Sequence, residues 1–159
     1  MKSKSNEKKK MKIAFICTGN TCRSPMAQFI LIKKLKDAGV EGVLVRSFGL
    51  RAKAGPLSDN AVAALKRLNV PFTKNFRSKL PPKNLADYDA VICMERYHKL
   101  AITPLYPNAF TLGELCDFGE VDDPYGCGLE AYIKTAKLFD DCFDDLVKEI
   151  RRALKERIE

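Results

Sequence analysis

The spacing of apolar residues changes several times along this chain, and each change marks an element. Lys12-Ile-Ala-Phe-Ile16 is a short apolar run that ends in a Gly-containing loop, the pattern of a buried strand in a parallel sheet. From Ser24-Pro25 onward, Ala27, Ile30, Leu31, Leu35 and Ala38 recur at helical spacing; Pro25 suits a first helical turn and Gly39 supplies a stop. Gly42-Val-Leu-Val-Arg-Ser47 reads as a second strand, and Ser58 as the cap of a helix running through Leu68. Asp89-Ala-Val-Ile-Cys-Met94 reads as another buried strand, followed by a helix from about Glu95. Tyr132, Ala136, Phe139, Phe143, Leu146 and Ile150 step by four and three, which places them on one face of a long C-terminal helix. This alternation predicts an α/β domain with a mainly parallel sheet covered by helices, and no repeat or linker divides it.

Composition narrows the class. The 159 residues are 46% hydrophobic and 30% charged, enough to bury one real core and unlike a disordered or collagen-like chain. No apolar run approaches the roughly 18 residues of a membrane-spanning helix, so no membrane partner is expected. The opening Met1 to Lys10 is basic enough to begin a signal peptide, but the apolar run after it, Ile13 to Cys17, is too short for the hydrophobic region, and a cytoplasmic location is expected. The six cysteines are sparse, irregular and without Cys-x-x-Cys spacing, so they read as reduced thiols and not as a disulfide scaffold or zinc site.

The formal charge of +8 invites a nucleic-acid reading until it is divided along the chain. Residues 1–10 contribute +4, residues 11–113 contribute +10, residues 114–145 contribute −8, and the remainder +2. Residues 1–11 therefore read as a basic, disordered tail ahead of a domain spanning 12–159, and no nucleic-acid partner is expected.

Ligands of such sheets sit beyond the carboxyl ends of the strands, which directs attention to the first strand–loop junction. It reads Cys17-Thr18-Gly19-Asn20-Thr21-Cys22-Arg23-Ser24-Pro25. A thiol stands at the strand end, the next five residues form a loop whose amides can converge on an anion, and an Arg and a Ser arrive as a helix begins. A helix N-terminus and a neighbouring guanidinium both favour thiolate over thiol, making Cys17 a candidate nucleophile at neutral pH. Arg23 offers a planar fork to two phosphate oxygens, and Ser24 can hydrogen-bond the thiolate and ease its later departure. Neither Gly-x-x-x-x-Gly-Lys-Ser/Thr nor Gly-x-Gly-x-x-Gly occurs, so the loop suits a single phosphate and not a nucleotide.

Cleaving a phosphoester also requires protonation of the leaving oxygen. Val121-Asp-Asp-Pro-Tyr-Gly126 offers Asp123, with Pro124 fixing the backbone beside it and Glu120 and Asp122 crowding it with negative charge that would favour a carboxyl holding its proton. By itself an Asp-Pro pair is a turn signal; the combination with Cys17 and Arg23 gives it chemical meaning.

These two motifs resemble the low-molecular-weight protein tyrosine phosphatases, whose signature is Cys-x-Gly-Asn-x-Cys-Arg-Ser-Pro near the N-terminus and Asp-Pro-aromatic near the C-terminus. The resemblance covers residues 12–150. It implies a single-domain α/β fold, a four-stranded parallel sheet flanked by helices on both faces, with the phosphate loop after the first strand. It further implies Cys17 as nucleophile, Arg23 as phosphate clamp and Asp123 as general acid then base, with Thr18, Gly19, Asn20, Thr21, Cys22 and Ser24 forming the loop. Asn20 and Ser47 match positions that shape the loop through hydrogen bonds, and Tyr125 matches an aromatic lining the cleft. No metal or cofactor is implied, the substrate is a phosphorylated protein or peptide, and the enzyme is expected to be a monomer.

Departures from the family pattern raise alternatives. Where many relatives place a His bonded to the loop Asn, this chain presents Lys74 or Asn75, and its one His, His98, reads as a surface helix residue. Tyrosine phosphatases of the family commonly have Ile or Leu at the position of Thr21; Thr there resembles the branch containing bacterial protein arginine phosphatases, since a hydroxyl can orient a polar leaving group. Phosphotyrosine is the first expectation and phosphoarginine the alternative. A related arsenate reductase relies on further relay cysteines, whereas Cys93, Cys116, Cys127 and Cys142 read as core or surface thiols. A non-catalytic phosphate-binding module is disfavoured by the joint presence of Cys17, Arg23 and Asp123. Cys17 and Cys22 together could form a reversible, protective disulfide.

Overall fold

The computed structural model describes residues 10–158. Four strands run parallel: β1 (Met11–Cys17), β2 (Val43–Gly49), β3 (Ala90–Cys93) and β4 (Phe110–Thr111), in the order β2-β1-β3-β4. Helices α1 (Arg23–Asp37), α2 (Asp59–Arg67), α3 (Arg96–Ile102), α4 (Leu112–Cys116) and α5 (Leu129–Ile158) surround the sheet. The expected four-stranded parallel α/β architecture is therefore present. Most of the anticipated 1–11 tail lies outside the described residues, and β1 already begins at Met11.

Two apolar layers follow from the pleat of β1. Ile13 and Phe15 point to one face, where Met26, Ile30 and Leu31 of α1 and Phe139 and Phe143 of α5 bury them. Phe15 stacks on Phe143 at 5.6 Å between ring centroids, and Phe143 stacks on Phe139 at 5.7 Å. Ala14 and Ile16 point to the other face, against Val91, Cys93, Leu85 and Ile102. Burial on both faces explains why β1 is an uninterrupted apolar run.

The helix signals act as read. Ser58 caps α2 by accepting a hydrogen bond from the Ala61 N–H, and Gly39, at φ +68°, ends α1 in the left-handed region. On α5 the buried face runs through Val147 and not Leu146, which is only half-buried. Among the described residues, no helix is long and apolar enough to cross a membrane. Because all four strands are parallel, their carboxyl ends gather at one pole, and the β1–α1 loop lies there.

Candidate active site

The loop between β1 and α1 folds around Asn20. Its backbone takes φ +58°, a left-handed conformation that Asn tolerates better than most residues. Its side chain is fully buried and reaches three segments: Nδ2 donates to Ser24 Oγ at 2.8 Å and to Ser47 Oγ at 3.0 Å, and Oδ1 accepts from the Lys79 backbone N–H at 2.9 Å. Ser47 in turn donates to Gln28 Oε1 at 2.6 Å. Asn20 and Ser47 thus tie the loop to α1, β2 and the Lys79 segment. With Lys74 or Asn75 where many relatives place a His, Asn20 Oδ1 takes its bond from the Lys79 main chain, whose N–H needs no particular side chain.

Close approach demands glycine below the loop. A Cβ on Gly49, at the end of β2, would lie 2.6 Å from the Thr18 carbonyl oxygen and 2.8 Å from the Asn20 nitrogen. Further main-chain bonds fasten the loop from the same side, Arg51 N–H to Thr18 O at 2.9 Å and Ser58 N–H to Thr21 O at 3.0 Å.

Cys17 ends β1 beneath this loop. Its Sγ lies 2.8 Å from Ser24 Oγ and accepts from the Asn20 N–H at 3.3 Å. Complete burial pushes the Cys17 thiol up, against Ser24, the Arg23 charge and the Asn20 N–H, which pull it down; the net direction is upward. Burial is the opposing influence, and the local sequence does not display it. The field of the α1 N-terminus and the converging loop amides also favours the anion and opposes the burial cost.

Arg23 is nearly completely buried and spans the site. Its Nη1 donates to the Val121 carbonyl at 2.9 Å and pairs with Glu95 Oε2 at 3.0 Å, while Nη2 lies 3.7 Å from Asp123 Oδ2. Asp123, expected within an acid cluster, faces Arg23 instead: Glu120 turns to accept from the Arg96 N–H. The Asp123 side chain is 53% exposed, and its Oδ1 accepts from the Tyr125 N–H at 3.1 Å, so the residue makes a turn and presents a carboxylate at once. Tyr125 stands 78% exposed beside it in sequence. A cavity of 760 Å³ opens behind Asp123 toward α5, lined by Val121, Pro124, Ala131 and Lys134 among others, and includes neither Cys17 nor Arg23.

His98 is not a surface residue; it is completely buried. Its Nδ1 accepts from the Glu95 N–H at 3.1 Å, closing a capping box at the start of α3, so Nε2 carries the proton and donates to Thr18 Oγ1 at 2.9 Å. Burial and the Arg23 charge push its pKa down to about 4, which keeps the ring neutral at ordinary pH. A chain of contacts therefore joins the loop at Thr18 to His98, Glu95 and Arg23. Tyr97 also reaches the loop, its hydroxyl on Thr18 Oγ1. Glu95, Tyr97 and His98 were not identified as site residues in the sequence. The i, i+4 pair His98 and Ile102, both buried, was the available signal for His98.

Cys22 is buried with Sγ 3.3 Å from Tyr132 Oη and 3.4 Å from Ser58 Oγ, and all six cysteines are free thiols.

The chain is similar to known proteins over most of its length. The family model for low molecular weight phosphotyrosine protein phosphatase matches residues 12–156. A protein-arginine-phosphatase of Bacillus subtilis is 32% identical over 149 residues, 89% of this chain and 98% of that protein. The low molecular weight protein-tyrosine-phosphatase PtpB of Staphylococcus epidermidis is 33% identical over 136 residues, covering 82% of this chain and 93% of the relative. A solved structure of the YwlE arginine phosphatase, a cysteine-to-serine mutant with a phosphorylated active-site serine, superposes with a TM-score of 0.82 at 32% identity, covering 91% of this chain and 99% of that one.

Proposed function

This chain belongs to the low molecular weight phosphotyrosine protein phosphatase family and is a phosphatase; from that premise we propose that it hydrolyses phosphotyrosine-type phosphomonoesters in proteins through a phosphocysteine. The observation that carries the proposal is the convergence of the Cys17 thiol, the loop shaped by Asn20, and the Arg23 guanidinium with Asp123 3.7 Å away. Cys17 Sγ, as thiolate, attacks phosphorus; an S–P bond forms as the bond to the leaving oxygen breaks, and Asp123 gives that oxygen its proton. Water then attacks the phosphocysteine, its proton passes to the Asp123 carboxylate, the S–P bond breaks, and the returning thiolate is received by the Ser24 hydroxyl. Loop amides and Arg23 stabilise the equatorial oxygens throughout. The YwlE structure, whose active-site serine in a cysteine-to-serine mutant is phosphorylated, supports a route through a phosphorylated enzyme.

Replacing the nucleophile is the direct test. Cys17→Ser is expected to lower kcat for p-nitrophenyl phosphate by about 10⁴ or more while inorganic phosphate still binds. Substantial turnover in that variant would refute the covalent route.

Phosphoarginine is the second reading, and Thr21 favours it. The Thr21 hydroxyl, half-buried in the loop, has one partner among the described residues, the Cys22 thiol at 3.7 Å, and so keeps capacity for a polar leaving group. Thr21→Ile is expected to lower the ratio of phosphoarginine to phosphotyrosine peptide hydrolysis; an unchanged ratio removes Thr21 from substrate choice.

A further inference from the structure

The two walls of the cleft carry opposite charge. On one side, two segments are bonded to the phosphate loop and to each other through their backbones: Arg51 N–H donates to Thr18 O, Lys79 N–H to Asn20 Oδ1, and Gly49 N–H to Lys79 O. Gly55 and Ser78 then exchange hydrogen bonds, Ser78 N–H to Gly55 O at 2.8 Å and Gly55 N–H to Ser78 Oγ at 2.9 Å. This stitched platform bears Arg51, Lys53, Arg77 and Lys79, all exposed, and none takes part in an ion pair among the described residues. Asp59 is the one acid between residues 50 and 83. Across the cleft, the segment anchored by the bond from Arg23 Nη1 to Val121 O carries Glu120, Asp122 and Asp123.

A catalytic anion site needs only Arg23 and the loop amides, so four further unpaired cations on segments bonded to that loop call for their own explanation. Here the backbones of Arg51 and Lys79 are bonded to residues that form the phosphate nest, and Lys53 and Arg77 each stand two positions from one of them in the chain. A peptide whose phosphorylated residue sits over Cys17 extends its flanks across one wall or the other. We propose that the 51–55 and 77–79 platform binds acidic residues flanking the phosphorylated residue, so that the preferred protein substrate is an acidic phosphopeptide segment. The proposal rests on the phosphatase reading and adds the substrate's charge to it. Complementary exposed charges chiefly set encounter rate and specificity, and salt screens them.

The test uses peptides of one length whose flanks are acidic, neutral or basic, each prepared with phosphotyrosine and with phosphoarginine. At low salt the wild type is expected to show kcat/KM five- to tenfold higher for acidic than for neutral flanks, on the order of two exposed ion pairs, with the preference fading at high salt. In Lys53→Glu/Arg77→Glu the preference is expected to vanish or reverse, while p-nitrophenyl phosphate turnover, which involves no flank, stays at the wild-type rate. Equal rates for acidic and neutral flanks, a preference for basic flanks, or a preference that survives the double variant would each overturn the proposal. Loss of p-nitrophenyl phosphate turnover in Cys17→Ser reports on the phosphatase reading separately.

Discussion

Between Cys17 and Ser24 the chain is held by hydrogen bonds from β2, α2, the Lys79 main chain and His98, whereas between Asp117 and Gly128 it is fastened chiefly at Val121, through Met94 O and the Arg23 guanidinium. The first segment buries its Asn, Arg and Ser; the second leaves Asp123 half in water and turns through positive φ at Asp117, Gly126 and Gly128. The contrast fits the different duties proposed for them. A group of donors that must match a phosphate in its transition state gains from being fixed beforehand, because no reorganisation is then needed during reaction. A carboxyl that gives a proton to one oxygen and takes one from another has to reach both and to meet water.

The harshest test of this division is Arg23→Lys, which keeps the charge but loses the fork that contacts Glu95, Val121 and Asp123 together; kcat/KM is expected to fall about 10³-fold. A loss under tenfold would place anion binding in the loop amides alone. Asp123→Asn is expected to slow phenyl phosphate about 10²-fold and p-nitrophenyl phosphate, with its better leaving group, less than tenfold. Equal losses would move the acid role to Asp122 or another carboxyl. Ser24→Ala removes a contact that pulls the Cys17 thiol down, so kcat is expected to fall roughly tenfold and the thiolate-dependent limb of the pH–rate profile to move to higher pH; an unmoved limb would show that Ser24 only packs.

The remaining effect concerns stability and not turnover. His98 titrates near 4 in the folded chain against 6.5 in the open one, so between those values the unfolded chain binds the extra proton. Stability is then expected to rise with pH across that window and to be lost as pH falls through it, by about 3 kcal/mol in total. Urea midpoints from pH 4 to 7 should show this slope in the wild type and a flatter one in His98→Asn. Identical slopes would mean that the loop does not depend on a neutral ring.

Legibility in the sequence followed the range of the interactions. Strands β1 and β3, helices α1 and α2 and the long α5 announce themselves because buried faces impose a period, and Ser58 and Gly39 because caps are local chemistry. The Cys17–Pro25 loop was readable for the same reason: its residues are contiguous. Strand β4 has two residues, Phe110 and Thr111, too few for any alternation to show. His98 lies in the polar run Glu95-Arg96-Tyr97-His98-Lys99, whose composition suggests solvent, while its bonds to the Glu95 N–H and to Thr18, eighty residues earlier, hold it inside. Lys79 escaped notice because a main-chain N–H leaves no signature in sequence. The upward pull on Cys17 was likewise invisible, since burial is a property of the assembled core.

Helix α5 has one practical corollary. Its thirty residues rise about 45 Å, from the neighbourhood of Asp123 along the full depth of the sheet, and near its end Arg157 meets Asp89, whose carboxylate also receives the Lys12 N–H at the start of β1. Residues 10 and 157 therefore emerge at the same pole, opposite the cleft. An affinity tag, a fusion partner or a surface tether joined near either position would leave the mouth of the cleft facing outward, a ready geometry for immobilised assays on whole phosphoproteins.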